Sequence, residues 1–152
     1  MKRGMMVFAI VVIPSLVQAD EKKIRVADIP REFTGTFEWR SDEVLLPATL
    51  TIEKIEEKDG VITFTGIQHY ANTGSQMKVE GTILVRNRRI TIRESELTNT
   101  NAVIDGSFEG TISPDMQMID AIWTTDSNGS KGDLRHNAKK SSALGKGLPL
   151  RK

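Results

Sequence analysis

The chain has 152 residues, which favours one domain, and it contains no Cys, so disulfides, thiol nucleophiles and cysteine-based zinc sites are excluded. A formal net charge of +1 conceals two unlike parts: residues 20–130 hold 12 Lys/Arg against 19 Asp/Glu, whereas residues 131–152 hold 7 against Asp133 alone. The acidic body argues against a nucleic-acid groove, and the basic end reads as a solvated or interacting tail.

Residues 1–19 have the form of a secretory signal peptide. Met1-Lys2-Arg3 is charged, Met5 to Val17 is an apolar run, and Val17-Gln18-Ala19 supplies small residues before a polar stretch. The run is too short to favour a membrane span, and no later apolar stretch reaches spanning length. The expectation is a soluble protein exported to the periplasm or beyond, whose stability comes from its core alone. Residues 20–31 read as a charged leader, with Ile24, Val26 and Ile29 able to form one helical turn that plugs a barrel end.

From residue 32 the apolar period is two nearly throughout. Strand one (32–40) puts Phe33, Gly35, Phe37 and Trp39 on one face. Strand two (46–56) has Leu50 and Ile52 inward, then a phase shift to Ile55 that signals a bulge. Asp59-Gly60 marks a two-residue hairpin. Strand three (61–70) aligns Ile62, Phe64, Gly66, Gln68 and Tyr70, and strand four (76–86) aligns Met77, Val79, Gly81, Ile83 and Val85. Strand five (89–97) carries Ile90 and Ile92 inward, and strand six (103–113) carries Ile104, Gly106, Phe108, Gly110 and Ile112. Strand seven (117–125) aligns Ile119, Ala121 and Trp123, and Asn128-Gly129 turns into a short strand eight (131–136). Residues 137–152 are expected to be a disordered basic tail.

A phrase recurs along these strands: Phe33-Thr34-Gly35-Thr36-Phe37, Val79-Glu80-Gly81-Thr82-Ile83 and Phe108-Glu109-Gly110-Thr111-Ile112. Glycine at the same inward position of several strands is a device for curling a sheet. Eight sequential strands without a helical period predict an all-β, antiparallel up-and-down barrel over 32–136, with an open sandwich as the alternative.

Gly35-Thr36-Phe37-Glu38-Trp39, the mid-strand glycines, the hairpin spacing and the late Trp123 together resemble the secreted eight-stranded calycins, the avidin and lipocalin group. The resemblance is architectural and covers about residues 32–136. It implies a binding or inhibitory module and not an enzyme. Trp lies four residues after Gly35, out of register with a lipocalin Gly-x-Trp, and two Trp are too few to imply biotin binding.

The chemistry-bearing residues are sparse. His69 and His136 stand far apart with no carboxylate at ligand spacing, so no metal site is read, and nothing implies a cofactor. No Gly-x-Ser-x-Gly elbow appears. Simple alternation puts Glu94 and Glu96 on the face of Ile90 and Ile92; either the strand reaches solvent there, the commoner case, or two carboxylates line a mouth. Arg86, Arg88, Arg89 and Arg93 gather near one turn and read as a solvated hairpin tip.

Gln68 and Tyr70 continue an apolar face with polar groups, so they mark a barrel end or a ligand contact. With Trp39 and Trp123 they form the expected ligand-binding set, in a cavity whose wall is mainly aliphatic because aromatics make up only 5% of residues. The functional expectation is an exported, non-enzymatic carrier of a small apolar or amphipathic ligand. The alternative is a protein-interaction module, such as an inhibitor of a secreted hydrolase or a cell-envelope accessory factor.

Overall fold

A computed structural model describes residues 24–41, 44–97 and 106–139. Eight antiparallel strands follow one another in chain order: β1 (Glu32–Trp39), β2 (Leu45–Lys58), β3 (Val61–Tyr70), β4 (Ser75–Leu84), β5 (Arg89–Leu97), β6 (Gly106–Ile112), β7 (Met118–Thr125) and β8 (Lys131–Ala138). Each pairs with the next, and β8 returns to β1 through Phe33↔Ala138 to Trp39↔Gly132. The sheet is therefore a closed up-and-down barrel and not an open sandwich. Closure leaves no strand edge unpaired.

Alternation decides which side chains fill the interior. In β3, Ile62, Phe64, Gly66, Gln68 and Tyr70 are buried while their neighbours are exposed or half-buried. Inward residues from every strand meet in one core that includes Phe33, Leu50, Ile62, Ile83, Ile90, Phe108, Ile119 and Leu134, each at most 1% exposed. Most outward positions carry Thr, Glu, Lys and Arg, with Leu45, Met118 and Ile122 as exposed apolar exceptions. Among the described residues no helix is long and apolar enough to cross a membrane.

Two bulges break the alternation. The predicted one lies in β2, where pairing with β3 slips between Ile52 and Lys54. The second lies in β5: Lys78 pairs with Glu96 but Val79 pairs with Glu94, leaving Ser95 as the extra residue. Asp59 and Gly60 both have positive φ, 52° and 77°, the geometry that the tight β2–β3 turn requires.

Glycines let the sheet curl tightly. A Cβ on Gly35 would overlap the carbonyl oxygen of Arg135 on β8, and one on Gly110 would overlap that of Asp120 on β7. Others make room for rings: Gly81 lies under Phe64, Gly106 under Trp123 and Gly132 under Phe37.

The barrel's ends differ. At the end where β1 begins, a 3-10 turn over Val26–Asp28 carries Ile24 and Ile29 into the core, and the Ile52 N–H donates to the Arg31 carbonyl at 2.8 Å. Met116, in the β6–β7 turn at this same end, is also buried, with φ of 60°. The expected helical leader turn is thus a single 3-10 turn. The strand eight expected to stop at residue 136 runs on to Ala138, because Asn137 pairs with Met118 and Ala138 with Phe33. The signal peptide expected over residues 1–19, Ile104 and the basic tail expected beyond Lys139 lie outside the described residues.

Candidate functional site

The opposite end, where β1, β3, β5 and β7 finish, gathers most of the ring-bearing residues. Phe37 stands edge-on to Trp39 (centroids 5.2 Å apart), Tyr70 (5.8 Å), Trp123 (5.9 Å) and Phe108 (6.2 Å). Trp39 and Trp123 meet each other at 4.9 Å and 84°. Perpendicular arrangements place the positive edge of one ring against the negative face of another. Five of the seven aromatic residues in the described chain are in this group. The expectation of a mainly aliphatic wall fails here: a low total does not prevent local concentration. Of the five rings, only Trp39 is less than fully buried.

Three of the four expected site residues, Trp39, Tyr70 and Trp123, thus come together. Gln68 does not join them. It lies one inward position deeper on β3 and faces His136 of β8, with side-chain nitrogens 3.3 Å apart. Nδ1 of His136 is 3.3 Å from the Arg135 carbonyl, which can only accept, so Nδ1 carries the hydrogen. Nε2 then accepts from the Gln68 amide. His136 is wholly buried, and that burial pushes its pKa down to about 4, keeping the ring neutral.

This end also holds Glu94, which simple alternation puts on one face with Glu96, either reaching solvent or lining a mouth. The β5 bulge at Ser95 separates them instead. Glu96 points outward to Lys78 at 2.6 Å, whereas Glu94 turns inward and is 5% exposed. Tyr70 Oη donates to Glu94 Oε1 at 3.5 Å, a long bond. Glu94 Oε2 and Trp123 Nε1 are both buried without a hydrogen-bond partner.

Burial pushes the Glu94 carboxyl up to about 7, although the Trp123 indole N–H and the Tyr70 hydroxyl pull it back to a smaller degree. The indole is therefore near the carboxyl but outside hydrogen-bonding geometry. Burial and the neighbouring Glu94 charge hold the Tyr70 phenol well above its usual range, so it remains a donor.

Two arginines of the expected cluster are engaged on the outer surface. Arg89 pairs with Glu109 and Arg93 with Asp126, which divides the arginine group around the β4–β5 turn. No group of three His, Asp or Glu able to hold a metal occurs among the described residues.

Comparison of the chain with family models, curated proteins and solved structures finds no match.

Proposed function

We propose that the protein is an exported, non-enzymatic binding protein of calycin-like type that holds a small amphipathic ligand at the aromatic end of its barrel. One observation carries the reading: an acceptor, Glu94 Oε2, and a donor, Trp123 Nε1, both buried and both unpaired among five aromatic rings. Buried polar atoms without partners are scarce in folded proteins, and each such atom needs a reason. A ligand with an apolar body and a polar head supplies one, because the rings bury the body and the two atoms receive the head. The other end is closed by Ile24, Ile29 and Met116 and holds no such pair among the described residues.

The test is a tryptophan-fluorescence titration with small apolar and amphipathic compounds, run on the parent and two variants. A saturable response is expected in the parent. Trp39→Ala should weaken it roughly tenfold or more, since Trp39 is the outermost ring. Ile29→Ala should lower stability by about 2 kcal/mol and leave the response intact. Loss of the response in Ile29→Ala but not in Trp39→Ala would place any site at the wrong end.

A second reading, an inhibitor or envelope accessory factor, draws support from the packed middle of the barrel, which leaves contact to loops and chain ends. Under that reading, removal of residues 140–152 should abolish capture of a partner while the fluorescence titration stays flat.

A further inference from the structure

We propose that the polar head received at this end is a protonated primary amine, making the ligand a small alkyl- or arylalkyl-ammonium. The inference rests on the binding reading above and adds the charge of the ligand. Glu94 is the starting point. It is an inward carboxyl, 5% exposed, with one oxygen unpaired. A carboxylate withdrawn from water is costly unless a cation and hydrogen bonds accompany it.

Among the described residues no cation is paired with Glu94. The basic residues that flank Glu94 along β5 and on the neighbouring β4, Arg93 and Lys78, are exposed and paired, Lys78 with Glu96 and Arg93 with Asp126. What faces Glu94 is a phenol and an indole, which are hydrogen-bond donors with electron-rich rings. A carboxylate beside aromatic rings is the combination that recognises ammonium groups, the carboxylate by charge and the rings by their negative faces.

The hydrogen-bond inventory points the same way. An ammonium N–H would donate to Oε2 and favour the ionised carboxylate. An ionised carboxylate accepts up to about four hydrogen bonds, so the Tyr70 hydroxyl and the Trp123 N–H could both close onto it. One incoming group would thereby satisfy both orphaned atoms. A hydrocarbon would leave both unpaired, and an anion would meet the Glu94 charge. Trp39, half-buried at the rim, is positioned to cover the apolar remainder of the ligand.

The experiment titrates the full chain, by fluorescence and calorimetry at pH 8, with 2-phenylethylammonium, 2-phenylethanol and 3-phenylpropionate. The parent should bind the ammonium at least about tenfold more tightly than the alcohol and show no response to the carboxylate. Glu94→Gln should lose that preference while still binding the alcohol. If the ammonium and the alcohol bind equally, or if Glu94→Gln keeps the preference, the ammonium assignment is wrong and the binding reading stands. If none of the three probes gives a saturable response, the binding reading falls and takes the assignment with it. Should Glu94→Gln not fold, the ratio of the two affinities in the parent decides alone.

Discussion

Among the described residues, Glu94 and His136 are the buried groups whose pKa values are displaced into the range between about pH 4 and 7, and they move in opposite directions. Glu94 rises from an ordinary 4.5 to about 7, so its contribution to stability is fully present below about pH 4.5 and is lost as the pH climbs to about 7. His136 falls from 6.5 to about 4, so its contribution is present above about pH 6.5 and is lost as the pH drops toward 4. Each displacement corresponds to about 3 kcal/mol.

Between about pH 4.5 and 6.5 the two slopes oppose each other, and the parent should show nearly constant stability. Glu94→Gln should unmask the histidine: its urea midpoint rises with pH across that window. His136→Gln should show the reverse, a midpoint that falls as pH rises. A flat Glu94→Gln profile would mean that His136 is not held neutral by burial.

At the scale of the elements, the strands owe their curvature to glycines whose Cβ positions are already occupied. Gly35→Ala would press a methyl into the Arg135 carbonyl of β8, a backbone atom that cannot swing away. The expected cost is about 2–3 kcal/mol, read as a lower urea midpoint at unchanged slope. Gly60→Ala meets nothing within 4 Å and suffers only from its φ of 77°, so about 1 kcal/mol is expected. Equal costs for the two would refute the close-packing role of Gly35.

The same elements show what the sequence could and could not reveal. The bulge in β2 is legible because apolar Ile52 and Ile55 flank it and mark the change of phase. The bulge in β5 is silent: Glu94, Ser95 and Glu96 are all polar, so no apolar marker records which of them turns inward. That silence hid the one carboxyl of the candidate site. His136 left a faint signal, since it continues the inward alternation of Gly132 and Leu134 on β8. Trp39, Tyr70 and Trp123 were legible because each extends an apolar face to its strand end. Gln68 was grouped with them on the same logic, but its partner on β8 is a contact across the barrel that no local pattern encodes.

For the molecule as a whole, stability resides in the interior. The six ion pairs among the described residues are partly or largely exposed, and exposed pairs of that kind contribute between nothing and about 1 kcal/mol each. The barrel has a division of labour between its ends: aliphatic residues and a 3-10 turn seal one, while rings and an incompletely paired carboxyl occupy the other.

The central claim is that the second end holds a small molecule. Native mass spectrometry of the protein purified from the cells that make it, without added ligand, is the decisive measurement. A retained small mass that is lost in Trp39→Ala is expected; a clean unliganded mass, or one carrying a second polypeptide, would refute ligand binding at this end.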